Sequence, residues 1–488
     1  MDVRQAMKKL LTVLLMTVFA GSLLLLAGHI FPGLKAILSG AAPAGPDSMA
    51  RNYEKVAEIP LGQVEAHDYR RMGFTSGIVR FSPDSRLLAV GTETGDVLLL
   101  SSDGRKRWQR QAGLAKITAL EFARDGRSLY IGETSPQGAL ICVDVASGAE
   151  LWHRDSAGEL GVDIRQKTLP GTVFVAGDAQ GNVYAVGQRY IRQPDGSNQY
   201  YSRIYKLDKS GGLTAMFPPD HNIDTWVSWI GVDDGGKRIA FGTANYDTSR
   251  VYRYRDNIYC LDGTLNRRNW SLLLDIVPPY QNTTMRKSPD MSADGRYIAA
   301  VTTDGRAFLY DAGGKELWRR SISQPQRIAG VYLNATGMYV RIAGERVLFT
   351  TGNTYNRANW QLPTPVEHPS SNSMFLFDLT GKLVNRHKAG GMIEEIAVND
   401  TVVMLAVGRN IWTKDIKVHG MYVLSLPDGG QTDFLATAGP CVGVAVSADS
   451  GWIAGIEAPL RLDSGEIVGG YRLHIWKRTG DKSRTAAL

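Results

Sequence analysis

The chain has 488 residues, 43% of them hydrophobic, with 53 glycines, three cysteines and a formal net charge of +7. That length and apolar content can bury a large core, which excludes an intrinsically disordered chain, and three widely spaced cysteines exclude a disulfide framework. The basic residues are scattered, densest at Arg105-Lys106-Arg107, with no cationic stripe interleaved with aromatic side chains; the charge reads as a solvated basic surface and no nucleic-acid partner is expected.

At the N-terminus Arg4, Lys8 and Lys9 precede Leu10 to Gly28, an uncharged run rich in Leu, Val and Met. The run exceeds the roughly 7 to 15 residues of a signal-peptide core and approaches the roughly 20 that span a bilayer. Residues 1–31 are therefore expected to form a single membrane anchor, with cleavage after Leu25-Leu26-Ala27 as the alternative. No cysteine stands nearby to carry a lipid. The positive flank is expected to stay in the cytoplasm, which places the rest of the chain in the periplasm, tethered to a bacterial inner membrane or, if cleaved, secreted there. Residues 32–52 read as a flexible tether, 53–478 as the folded domain and 479–488 as a polar tail.

Glu54 to Pro60 offers one strand before a repeat takes over. The first copy runs from Phe81 to Trp108 and the second from Phe122 to Trp152; each has a polar Asp turn, two apolar runs joined by a Gly turn, a second Asp/Ser-Gly turn and a closing Trp. Degenerate copies follow at Val162 to Asp208 and Val227 to Trp270, then the plainest at Met291 to Trp318. The sixth has Val331 to Leu333, Met338 to Ile342 and, far downstream, Met374 to Asp378; the seventh runs from Ile393 to Leu426 and the eighth from Val442 to Trp476. Short apolar runs joined by Asp-Gly turns are antiparallel hairpins, and a period of about 40 to 45 residues suits four strands, one propeller blade. The expected fold is an all-β propeller of eight four-stranded blades, seven if a degenerate copy is discounted. The eighth copy lacks an outer strand and the N-terminus has a spare one, so Val56 to Ile59 is expected to close the ring.

The segments Val143 to Trp152 and Tyr310 to Trp318 resemble the tryptophan-docking repeat of quinoprotein (PQQ-like) propellers, and the turns Ser82 to Arg86 and Ser292 to Arg296 are similar to those of WD-type repeats. The resemblance covers about Gly77 to Trp476. It implies that each Trp wedges between neighbouring blades while the Asp and Gly shape the turn. A quinoprotein dehydrogenase would add a vicinal cysteine pair, a calcium-holding carboxylate and Asn, and a catalytic Asp. Here no cysteines are adjacent, no Cys-x-x-Cys-His haem site occurs and the eight histidines stand singly. No catalytic residue, cofactor or metal is therefore expected, and a quinone- or metal-dependent propeller enzyme is the alternative. Cys142, Cys260 and Cys441 are expected to be buried free thiols. In general plan the chain resembles the propeller component of outer-membrane protein assembly, which implies a scaffold or accessory subunit of a cell-envelope complex.

Two surfaces are candidates. The repeats are interrupted at Gln188 to Arg203, Asn245 to Asp256, Thr351 to Asn372 and Arg409 to His419, and insertions at equivalent points of a propeller emerge on one face. Tyr190, Tyr200, Tyr201, Arg203, Tyr246, Tyr252, Tyr254, Tyr355 and Trp360 in these segments are of the types that carry protein-binding hot spots. The second surface is the channel mouth, where Arg286, Lys287, Arg327, Glu394 and Glu395 precede or open the first strands of blades five, six and seven. Opposite charges around one opening suit either a polar ligand or mutual neutralisation.

Overall fold

The computed structural model describes residues 50–69, 78–164, 168–245, 251–278, 280–352 and 364–480. The anticipated anchor lies outside these residues, as do Tyr246, Tyr355 and Trp360. No helix among the described residues is long and apolar enough to cross a membrane.

Each repeat folds into one four-stranded antiparallel sheet, and the described residues contain eight of them. Blade one spans Ile78–Gln111, two Ile117–Arg154, three Gly171–Phe217, four Trp226–Leu272, five Asp290–Ser321, six Gly337–Lys388 and seven Ile393–Ala436; blade eight is Cys441–Arg478 with Tyr53–Pro60 as its outer strand. The middle strands are continuous apolar runs, such as Leu87–Gly91 and Tyr297–Val301, because a neighbouring blade covers each face. Outer strands such as Lys106–Gln111 are half exposed. The core therefore sits between blades: Ala89, Val97 and Leu99 of blade one pack with Leu120, Phe122 and Leu129 of blade two.

The polar turns are built alike. In the first, Ser82 Oγ donates to Asp84 Oδ1 (2.6 Å) and accepts from the Leu87 amide (2.9 Å), while the Arg86 amide donates to Asp84 (3.1 Å). Ser292, Asp294 and Tyr297 repeat this set, as do Ser447, Asp449 and Trp452. The tryptophans dock as the resemblance implied. The indole N–H of Trp108 donates to Val145 O (2.8 Å) in the next blade, that of Trp270 to Ala312 O (3.1 Å) and that of Trp318 to Leu379 O (3.0 Å). In blade six Asn385 takes the Trp position and still donates to Asp428 O of blade seven (2.9 Å).

The ring closes as expected. Tyr53–Pro60 pairs antiparallel with Arg472–Arg478, from Tyr53 opposite Arg478 to Pro60 opposite Arg472. Arg472 reaches Glu58 across this seam at 2.6 Å, and buried His474 lies 2.5 Å from Glu457 on its other side. The three cysteines are free and buried.

Two details differ from the sequence-based expectation. Gln188 to Arg203 is no loop: the strands Val183–Arg192 and Asn198–Leu207 run on in register to a tight turn, because the alternating Tyr and Arg keep pairing past the usual blade edge. The inner strand of blade six is Gly337–Ala343, not Val331–Leu333, which instead forms a small hairpin with Gln326–Ile328. A turn at Gly344, whose φ of 55° favours glycine, supplies a second strand, Arg346–Thr351, that the sequence pattern concealed.

Candidate functional site

An up-and-down four-stranded blade sends its second-to-third and fourth-to-next connections to one face and its remaining two turns to the other. Among the described residues the long connections fall in the first class, including 155–170, 273–289, 322–336, 408–419 and 458–471, and the connections between strands on the opposite face are tight polar turns. The exposed large apolar side chains follow this division. Leu114, Val162, Ile164, Tyr190, Val251, Leu273, Ile276, Val277, Tyr332, Val366, Ile416 and Ile467 lie in the first class of connections or at their strand ends, while Val56, Leu151, Leu213, Leu317 and Leu383 sit on outer strands. Among the described residues none of them is in a tight turn. Leu273, Ile276 and Val277 share a neighbourhood with Tyr332, since the Tyr280 hydroxyl accepts from the Asn334 amide (2.7 Å) and ties their two connections together.

The loop residues anticipated as a partner-binding rim are divided by this geometry. Tyr190 is exposed and Tyr201 half-buried. Tyr200, Arg203 and Tyr252 are buried: Tyr200 packs edge-on against Trp226 at 5.8 Å, and Arg203 donates to Asn222 Oδ1 at 2.8 Å. Tyr200 and Arg203 hold the long hairpin down rather than offering free surface. Tyr254 is half-buried, and its hydroxyl meets His221 Nε2 at 2.7 Å.

The channel is a cavity of about 770 Å³ lined by the inner strands of all eight blades. A β-bulge interrupts the inner strand at the same place in blades two, three, four, six, seven and eight, for example between Val227 and Trp229 and between Ile393 and Glu395. A bulge places two residues against one partner and re-aims the side chain that follows. Phe174, Trp229 and Glu395 stand just past it in their blades, opposite Val186, Gly242 and Ala406. Two residues further along lies a second tier, with Arg80, Glu121, Asp290 and Arg341 alternating with small residues such as Gly231 and Ala445.

The charges pair between blades. Lys287 Nζ is 2.7 Å from Glu395 Oε2 and lies 4.8 Å from the ring centre of Tyr339. Arg80 and Glu121 approach to 3.9 Å. The Arg341 guanidinium lies 4.5 Å over the Trp229 ring, which packs edge-to-face with Phe174, ring centroids 4.8 Å apart. Burial pushes Glu394 up to about 7 against the pull of Arg409 and Lys287. Burial raises Glu121 and Asp290 too, although Glu121 keeps 39% of its side chain open to the channel. For Glu395 burial acts upward, yet the charge and hydrogen bond of Lys287 outweigh it and hold the carboxyl below its ordinary range.

Lys287, Glu394 and Glu395 are thus brought together at the channel, whereas two expected companions are not. Arg286 is half-buried beside the channel and does not line it. Arg327 is exposed on the small hairpin before blade six, because that blade begins one strand later than its sequence pattern suggests. Sequence reasoning missed Phe174, Trp229, Asp290 and Arg341. The available signal was the presence of bulky or charged residues in first strands that otherwise carry Gly, Ala and Val. Among the described residues no three His, Cys, Asp or Glu side chains converge as a metal cluster.

A family model described as outer membrane protein assembly factor BamB matches residues 66–215 and 243–384, more than half of the chain. The chain belongs to this BamB family. No curated protein sequence matches it. Among solved structures it is similar to the C-terminal WD40 domain of Sif2 at 11% identity, covering 88% of this chain and 99% of that one with a TM-score of 0.52. It is also similar to BamB from Moraxella catarrhalis (15% identity, 78% and 97% covered, TM-score 0.40) and to the Cps50 (Swd1) propeller of Myceliophteria thermophila (13%, 87% and 100%, 0.42). The likeness to the Sif2 domain speaks to the fold alone.

Proposed function

We propose that this chain is a non-catalytic scaffold that binds a protein partner of the bacterial cell envelope through its loop face, with residues 1–31 holding it at the periplasmic side of the inner membrane. The observation that carries the reading is the segregation of exposed apolar side chains onto the face with the long connections, densest at Leu273, Ile276, Val277 and Tyr332. An apolar patch rimmed by polar residues on a rigid framework is the usual form of a protein-docking site. The description of the family, an assembly factor of the outer membrane, points to the same kind of role.

The test is crosslinking of the full-length protein in its native cells, with partners identified by mass spectrometry. A triple variant, Leu273→Asp, Ile276→Asp and Tyr332→Asp, is compared with the parent at equal expression and melting temperature. Loss of a defined envelope partner in the variant supports the reading. An unchanged set of partners overturns the assignment of this face, and a protein found wholly in the soluble cytoplasm overturns the location.

A further inference from the structure

The tight-turn face holds a second, smaller feature between blades one and two: a crevice of about 400 Å³ whose lining includes Leu87, Leu99, Val145 and Ala146, with Arg107 and Arg127 at its edges. Leu99 and Val145 are buried, while both arginines are exposed.

The internal repeats show that this is not a generic seam. In each outer strand a register shift falls just before the docked Trp: Lys106 and Trp108 pair with Leu100 and Leu99, Glu150 and Trp152 with Val143 and Cys142, and Glu316 and Trp318 with Tyr310 and Leu309. The skipped residue is Arg107 in blade one, Leu151 in blade two, Asn269 in blade four and Leu317 in blade five, so among these blades only the first sets a cation there. The second arginine also departs from its counterparts. Arg86 and Arg296, at the same place in their turns, stand beside Asp84 and Asp294. Neither Arg107 nor Arg127 has a side-chain partner among the described residues. Asp144 also lines the crevice, and its carboxylate is turned to Ser147, accepting from its amide and hydroxyl.

Two free guanidiniums over an apolar floor recognise a specific chemistry. The floor takes an aliphatic or aromatic side chain out of water, and the arginine forks take carboxylates bidentately on either side. No aromatic side chain lines the crevice to stack a nucleobase. We propose that this crevice binds an acidic peptide segment of a partner protein, inserting one large apolar side chain between Arg107 and Arg127. The site lies on the opposite face from the proposed envelope-partner surface, so it stands or falls separately.

Fluorescence anisotropy on the full-length protein tests it with three labelled peptides: an acidic one with a central leucine, the same peptide with alanine there, and one with lysines replacing the acids. The leucine peptide should bind, the alanine peptide several-fold more weakly, and the lysine peptide not at all. The double variant Arg107→Leu, Arg127→Gln, whose first change installs the side chain that Leu151 and Leu317 supply in other blades, should melt like the parent and lose at least tenfold in affinity for the leucine peptide. Equal affinity of parent and double variant overturns the proposal, as does equal binding of the leucine and alanine peptides. Binding of phosphatidylserine vesicles, but of no peptide, would assign the arginines to a lipid surface and overturn it as well.

Discussion

Trp318 of blade five lies against Gly381 of blade six so closely that a Cβ on the glycine would fall 2.8 Å from the indole. Gly381 has a φ of 82°, and the same contact recurs between Trp108 and Gly148, Trp152 and Gly211, and Trp270 and Gly314. Each pair couples an outer strand to the next blade's turn, so the tryptophan acts as a mortise between neighbouring blades that are separate sheets. Trp318 is 6% exposed. Trp318→Ala should destabilise the fold by about 3–5 kcal/mol through lost burial and the cavity left behind. Denaturant unfolding of the purified protein measures it, and a loss under about 1 kcal/mol would show that the seam does not depend on the indole.

Ring closure makes an asymmetric prediction about the two ends of the domain. Deleting Tyr53–Pro60 would strip the outer strand from blade eight, expose the edge of Arg472–Arg478 and remove Tyr53, buried with Met404, Val444 and Trp476. Removing 481–488 touches none of these contacts. Thermal unfolding should therefore fall sharply for the first deletion and remain near the parent for the second. Equal melting temperatures would mean that the ring holds without its closing strand.

Glu394 supplies a pH dependence. Its carboxyl, faced by Lys287, Arg409 and Glu395, keeps its proton to about 7 in the folded chain against an ordinary value of 4.5. Between those values the folded state binds more protons than the unfolded one, so stability falls as pH rises through that window and stays lowered above it. Glu394→Gln removes the titration. Its melting temperature relative to the parent should climb from pH 4.5 to 7 and then level off. A difference that does not change with pH would place the carboxylate in water.

The thiols should be silent in the native state. Burial pushes Cys142 and Cys260 up to about 11 and Cys441 up to about 12, and a thiol reagent needs both access and thiolate. Reaction with an aromatic disulfide at pH 8 should be negligible until denaturant is added, when all three titrate. Rapid reaction of one thiol in the folded protein would reveal an opening between blades.

The number of blades, the docking of Trp108, Trp270 and Trp318, and the closure by Tyr53–Pro60 were legible in the sequence because each rests on local information. The Ser-x-Asp turns bind their own backbone within five residues, and the spacing of Trp from Gly is set inside one repeat. An unmatched strand at one end and a gap at the other leave a single way to complete the sheet. What faces the channel was settled only by tertiary structure. A bulge of one residue reverses which side chains point inward, and nothing in Val227–Ser228–Trp229 announces it. The same holds for Tyr200 and Arg203, whose composition suits a binding surface but which turn inward because the long hairpin folds back on Trp226 and Asn222. The ionisation of Glu394 likewise belongs to no segment. It arises where burial on the inner strand of blade seven meets the charges of Arg409, Lys287 and Glu395, two of them on the same blade and one brought in from blade five.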